Sequence, residues 1–572
     1  MSASSKDEHY LHFRAPRQHG EVLCVPAPES LTSGLAYNSE ALKGSNVAIY
    51  GATLTSLRHM ARQELGQKLN VSPHKPWIAG GHQPELFHPG VWLKNFVLDR
   101  FAQVHEAVAL NFVVDHDLCN QVSIRVPTLT KTNKLELESV SWDSHSQGVP
   151  WERHRVQEVK LFENFATRIR TLLAPLGMSP LIESLWDQAI HMNSDECSIG
   201  EIFAEIRRSV ERKHGLQSTE FFSRDLVQTQ SFRLLLLHLI EKCSDFQRIH
   251  NTALQHYRQA HRIRSTAHPV PDLKQTGNEF EIPLWVHTNH NARRRAVFVG
   301  REKDIRYLTD QTEILLQWST RDSDEHILSA LARLEETGVF LRPRALLTTM
   351  MLRLLIADWF IHGIGGGKYD QLNDRIMGEF FGITPPGFSV ISGTLFLPIL
   401  SNPATPALNP GDIRKAVAHD LLANDSCSQS YLLWQQARAA WIQARQFERD
   451  QQYHPEKYLT HPTAIQQKLI AQQFNLRSEM PQSGSKRSWH RELEMVRQQL
   501  AKTVCSNRED YAVRVESAWQ QMQQAQIRIS REYSFAIFPE NWLIPRLQAL
   551  AERCCPAKQN TTVHTSPQTS AT

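Results

Sequence analysis

The chain has 572 residues, with 63 Lys and Arg against 59 Asp and Glu, a formal net charge of +4. That length exceeds one ordinary core and predicts roughly three or four compact units at about 150 residues each. The charges are mixed along the chain rather than gathered into a basic arm or an acidic tail, so they give no argument for nucleic acid or a membrane surface as partner.

The stretch Met1 to Tyr10 holds acidic residues and no apolar run, so secretion is not expected. The longest apolar runs, around Leu234 to Ile240 and Ala345 to Ile361, are short or interrupted by Arg353 and Asp358. A membrane-spanning helix needs ~20 apolar residues, so none is expected. The eight cysteines show no CxxC spacing and read as reduced thiols of a cytoplasmic protein.

Pro76 to Ala79 is a short apolar run that stops at Gly80-Gly81 and leads into the loop His82 to Gly90, which predicts a strand followed by a loop. From Val91 the residues Phe96, Val97, Phe101 and Val104 recur at helical spacing. Ala107 to Val114 is then nearly continuous in apolar residues, as in a strand buried on both faces of a parallel sheet. The order strand, loop, helix, strand predicts a βαβ unit and an α/β fold.

After Asp115-His116-Asp117 a looser alternation (Val122, Ile124, Val126, then Lys134 to Glu138) predicts a small β excursion. Residues 151 to 265 are mainly helical in pattern, and Phe280 to Val286 with Ala296 to Val299 predicts a hairpin. An apolar helix is expected from Ala345 to about Ile361, ending at His362 and the glycines 363 and 365–367, with a second helix from Tyr369 to Phe381. Clustered prolines place a boundary near 410.

Beyond it Gln, Arg, Glu and Ala dominate. Trp489, Leu493, Val496, Leu500 and Val504, then Tyr511, Val515, Trp519 and Met522, approach a coiled-coil seam. Tyr431 to Phe447, with Trp434 and Trp441 one heptad apart, is its expected antiparallel partner. These tryptophans read as packing residues whose economical use is dimerisation. Pro556 to Thr572 has the composition of a disordered tail.

Ligands bind parallel sheets beyond the carboxyl ends of the strands, where both polar clusters fall. Gly80-Gly81 permit close approach, and His82 and His88 could donate to a phosphate or orient a carboxylate. The helix after Gly90 would add partial positive charge. Asp115 and Asp117 flank His116 and suit a ribose, an amino group or a divalent metal, or cap the next turn. The run Gly363 to Tyr369 fails as a P-loop: position 362 is His, Tyr369 replaces Ser/Thr, and a helix is expected before it. A glycine turn lining a pocket and a plain helix cap both remain open. Arg342 and Arg344 could clamp a carboxylate or phosphate, or lie exposed. No Gly-x-Ser-x-Gly elbow or HExxH helix is present.

The order Gly81-His82-Gln83-Pro84-Glu85-Leu86-Phe87, then an apolar strand ending Asp115-His116-Asp117, resembles the landmarks of the cysteine-adding ligase family of bacillithiol synthesis. Pro283-Leu284-Trp285-Val286 before Arg293-Arg294-Arg295, and Leu341-Arg342-Pro343 before Gly365-Gly366-Gly367, follow in the family's order. His82 stands where that family carries Gln, and Val114 where it carries an acid, so a diverged substrate is a real alternative. The resemblance implies a Rossmann-like parallel-sheet core with an inserted connecting region and a C-terminal coiled-coil arm. The core would begin in 1–150, with a mainly helical region over 151–270, a small β segment and return to the core over 271–410, and the arm over 411–555.

The resemblance further implies a carbon–nitrogen ligase that adds L-cysteine to glucosaminyl-malate, an amino-sugar conjugate. ATP or ADP is the cofactor it suggests, any metal being open, in a homodimer paired through the arm. His82, Asp115 and Asp117 would be catalytic, and Gly81, Gln83, His88, His116, Gly365, Gly366 and Gly367 would line the cofactor pocket. Two other readings stand beside it. One is a metal-dependent hydrolase or transferase using His82, Asp115, His116 and Asp117; the other is a non-catalytic nucleotide-binding dimeric scaffold.

Overall fold

The computed structural model describes residues 10–144, 148–194, 196–399, 426–454, 459, 461–478, 486–504 and 508–556. The chain opens with strand β1 (Val22–Val25) and helices α1 (Leu31–Lys43) and α2 (Leu54–Leu69). Helix α2 starts at a capping box in which Thr53 and Ser56 satisfy each other's backbone N–H. Strand β2 (Trp77–His82), helix α3 (Pro89–Val104) and strand β3 (Val108–Val113) form the strand–loop–helix–strand unit that the apolar pattern predicts, with β2 and β3 parallel.

Strands β4 (Ser123–Leu129) and β5 (Leu135–Ser141) are the small β excursion, an antiparallel hairpin. The region expected to be helical does contain α4 (Ile199–Lys213), α5 (Gln230–Glu241) and α6 (Cys243–Ala260), but also β6 (Thr219–Phe222), which joins the central sheet beside β3. Four residues are too few for a strand period to register against helical neighbours. Strands β7 (Glu279–Thr288), β8 (Arg295–Glu302), β9 (Ile305–Thr309), β10 (Ile314–Ser319) and β11 (Val339–Pro343) build a second, antiparallel sheet in the order β10-β9-β8-β7-β11.

The expected helix from Ala345 to Ile361 is corrected by the structure. Helix α7 spans Ala345–Met351, a π turn follows over Leu352–Ile356, and β12 spans Trp359–His362 in the middle of the central sheet. The reason is a buried charge cluster. Asp358 meets Arg58 at 2.6 Å and Arg62 at 2.7 Å and accepts the Trp77 N–H at 2.7 Å. The same guanidinium groups donate to the carbonyls of Leu354, Ile356 and Ala357, which a helix end leaves without partners. Helix α8 (Ile364–Phe381) and strand β13 (Phe388–Gly393) complete the core.

The central sheet runs β1-β13-β12-β2-β3-β6, parallel throughout except for β1 at its edge. Counting the parallel strands along the chain, the order in space is 5-4-1-2-3, and it reverses between β2 and β12. Alternate residues of β2 feed opposite cores: Ile78 packs with α3 on one face, Trp77 and Ala79 with α2 and the second sheet on the other.

Helices α9 (Ser426–Tyr453), α10 (Ala464–Ser478), α11 (Lys486–Val504) and α12 (Arg508–Arg528) follow, α9 packing on α12 and α10 on α11. The Trp441 and Trp519 rings meet at 5.3 Å, so α9 faces the second half of the expected seam. The predicted long seam from Trp489 to Met522 is thus two helices, each with its own partner. Helix α13 (Glu540–Cys554) packs against α3 in the core through Leu543, Ile544 and Leu547. The expected boundary near 410 and all of the expected disordered tail Pro556 to Thr572 except Pro556 lie outside the described residues. Among the described residues no helix is long and apolar enough to cross a membrane.

Candidate active site

Where the strand order reverses, the ends of β2 and β12 open a cavity of about 690 Å³. Gly81, His82, Gln83, His88, His116 and Asp117 line it from one side, Gly365 and Gly366 from the other. The resemblance expected these residues to share a pocket, and the fold brings them together. Gly81 is required by β3: a Cβ there would lie 2.6 Å from the Phe112 carbonyl oxygen. Gly366 is required by His362, whose Nδ1 would lie 2.7 Å from an added Cβ. Gly367 is a correction. It does not line the cavity, and its missing side chain leaves room for Val390 of β13.

The glycine run also follows a strand rather than the expected helix, because β12 ends at His362 and α8 begins at Ile364. Gly363 to Gly366 therefore present the first turn of an 18-residue helix to the cavity. Gly90 and Val91, in the first turn of α3, do the same from the β2 side. Two helix N-termini, with their partial positive charge, meet at one crevice; the first N–H groups of α3 are already taken by His88, whereas those of α8 face the cavity.

Cationic side chains reinforce that field. Lys94 of α3 donates to the Gly81 carbonyl at 2.8 Å and lies beside Gly363. Burial, then the charge of Arg207, pushes the Lys94 ammonium down to about 7. Arg531 donates through Nη2 to Ser392 at 3.1 Å, while its buried Nη1 has no hydrogen-bond partner among the described residues. Arg344 is held by Glu281 at 2.6 Å and stacks on Trp285 at 3.9 Å.

Burial, then Lys94, pushes His82 down to about 3, so its ring is neutral. Its Nδ1 donates to the Gln83 carbonyl at 3.1 Å, which leaves Nε2 as an acceptor. His82 therefore does not donate to a phosphate; it suits an ammonium or hydroxyl. His88 caps α3, its Nδ1 accepting the Gly90 N–H at 3.1 Å, and burial keeps it neutral as well. Burial pushes His116 down to about 4, and its buried Nδ1 has no partner among the described residues. Burial opposes ionisation of Asp117, but Arg294 at 3.0 Å and the Gln83 amide at 2.8 Å hold it below the usual carboxylate range.

Asp115 is turned away from the cavity. It is 1% exposed and accepts from the Ser223 hydroxyl at 2.5 Å, tying the end of β3 to the end of β6. Burial, then Glu152, pushes it up to about 7. Arg342 is withdrawn too, paired with Glu152 at 2.8 Å and Glu335 at 2.5 Å, so it clamps no substrate. Among the described residues no three His, Cys, Asp or Glu side chains converge to hold a metal ion.

Several site residues escaped the sequence reading. Lys94 is one of the charges between the apolar positions of its helix and is not singled out by the pattern, and His362 is expected only where a helix ends. His362 faces the cavity with Nε2 on Asp370 at 2.7 Å, and Asp370 is fixed in turn by Arg353 at 2.6 Å. A histidine before a glycine run was the available signal. Arg531 had none, since it arrives from a distant part of the chain. No protein-family model matches the chain, and no curated protein is detectably similar to it.

Proposed function

We propose that the protein is a carbon–nitrogen ligase with a Rossmann-like core and a nucleotide pocket at the sheet's switch point. The observation that carries this reading is the meeting of two helix N-termini and Lys94 where the strand order reverses, the place at which doubly wound sheets take nucleotides. The site fits a nucleotide on its own chemistry: Gly366 leaves space beside His362, and Arg531 offers an unused buried N–H. The first turn of α8, Lys94 and Arg531 would hold the phosphates of ATP or ADP. A bound nucleotide supplies the leaving group that makes a carboxylate reactive.

The resemblance names that carboxylate as the one of L-cysteine and the acceptor as glucosaminyl-malate. Asp117, held ionised by Arg294, and the neutral Nε2 of His82 would receive the amino group of the amino acid. Metal-dependent hydrolysis has no such support, because Asp115 is committed to Ser223 and the remaining acids and histidines do not converge. Reduced thiols at Cys24, Cys119, Cys197, Cys243, Cys554 and Cys555 support a cytoplasmic setting. Exposed Ile465, Phe474 and Met495 on the arm support a homodimer.

Calorimetric titration with ATP, ADP and L-cysteine tests the reading. Nucleotide affinity is expected to fall about tenfold in Lys94→Met, for loss of a charged hydrogen bond. L-cysteine binding should be lost in His82→Ala and in Asp117→Ala. Absence of any nucleotide binding by the wild-type protein would sink the proposal.

A further inference from the structure

A second cavity of about 410 Å³ lies on the far side of His82 and His88, which line both spaces together with Val91. Its other walls include Glu85, Trp142, Trp151 and Glu532, with the exposed guanidinium of Arg125 among them. Two observations set it apart from an ordinary packing defect. Glu85, on the loop between β2 and α3, is half-buried and has no hydrogen bond or ion pair among the described residues. Trp142 and Trp151 stack at 6.2 Å, which gives the chamber a rigid aromatic side. The Glu85 carboxyl, half-buried on the wall of this cavity and without a protein partner among the described residues, is a group that a ligand would satisfy.

We infer that this chamber is the acceptor subsite of the ligase, in which Glu85 receives the ammonium group of a primary amine beside the neutral His82. The inference rests on the proposed ligase reading, but the subsite is tested separately from the nucleotide pocket. An ammonium ion is the natural partner of an unpaired carboxylate next to an aromatic wall. Burial, then the charge of Asp117, pushes the Glu85 carboxyl up to about 7, so it exchanges its proton near neutral pH. One N–H bond of the ammonium breaks, the proton passes to a Glu85 oxygen, and the nitrogen lone pair is freed facing the His82 wall. The shared wall places that nitrogen next to the cavity that would hold the activated carboxylate.

The test is calorimetric titration of the full-length protein with D-glucosamine and with N-acetyl-D-glucosamine, which keeps the ring but has no ionisable amine. Wild type is expected to bind glucosamine and to bind the acetylated sugar at least about tenfold more weakly. Glu85→Gln keeps the shape of the side chain and is expected to lose glucosamine binding by about tenfold or more while binding ATP as wild type does. Unchanged glucosamine affinity in Glu85→Gln would overturn the assignment, and so would equal binding of the two sugars or no glucosamine binding by wild type. If ATP does not bind but glucosamine binding still depends on Glu85, the nucleotide reading fails and the amine subsite stands.

Discussion

Lys94 and Glu85 have opposite charges and the same problem, a titratable group taken out of water within one loop and helix. Lys94 is cationic below about 7 and neutral above, so its pull on phosphate fades as pH rises. Nucleotide affinity is therefore expected to fall between about pH 7 and about pH 8.5, and to be flat over that window in Lys94→Met. A pH-independent wild type would show that Lys94 does not face the phosphates. For Glu85 the effect appears in stability. Its folded-state value of about 7 exceeds the ordinary 4.5, so between these the native state binds the extra proton and stability drops as pH rises. Thermal unfolding of Glu85→Gln should match wild type near pH 5 and exceed it near pH 8. His82 and Asp117 were legible in the sequence because polar residues directly after an apolar strand mark its carboxyl end. Their protonation states were not, since these depend on Arg294 and Lys94 arriving from other elements.

At the scale of elements, uniform apolarity hid the strand β12 inside an apparent helix. A buried helix and a buried strand share composition, and tertiary partners decide between them. Here the partners are Arg58 and Arg62, which hold Asp358 and the carbonyls of the π turn. Removing one member of a buried ion cluster strands the others, so Asp358→Ala should cost about 3–5 kcal/mol in denaturant unfolding. A loss within the ordinary surface range would mean that the cluster does not hold β12 in place. The glycines of α8 divide in the same way. Gly367→Ala would collide with Val390 and should cost about 1–3 kcal/mol, whereas Gly365→Ala meets nothing within 4 Å and should leave stability intact. Equal effects of the two changes would contradict the orientation of the helix.

Over the whole molecule, two sheets and their helices form the core, and α9 to α12 pair within one chain, α9 on α12 and α10 on α11. The internal pairing of α9 with α12 uses the tryptophans that the heptad spacing picked out, yet Ile465 and Phe474 stay 69% exposed. Exposed apolar side chains on an otherwise polar helix pair are what a second copy would cover. Sedimentation equilibrium is expected to show a dimer, converted to monomer by the double change Ile465→Glu and Phe474→Glu. A wild-type protein that stays monomeric at all concentrations would remove the dimer.

By itself the sequence determined the strand–loop–helix–strand unit, the hairpin of β7 and β8, a β excursion after Asp117, and the polar clusters around Gly81 and Asp117, because each is written in local periodicity and turn chemistry. Tertiary structure alone decided the rest. It placed β12 beside β2, which creates the switch point, and so turned a glycine run into a helix start facing the cavity. It sent Asp115 inward to Ser223 and brought Lys94, His362 and Arg531 to one crevice. These outcomes depend on contacts between residues far apart in the chain, and local sequence carries no record of which distant groups will share a low-dielectric site.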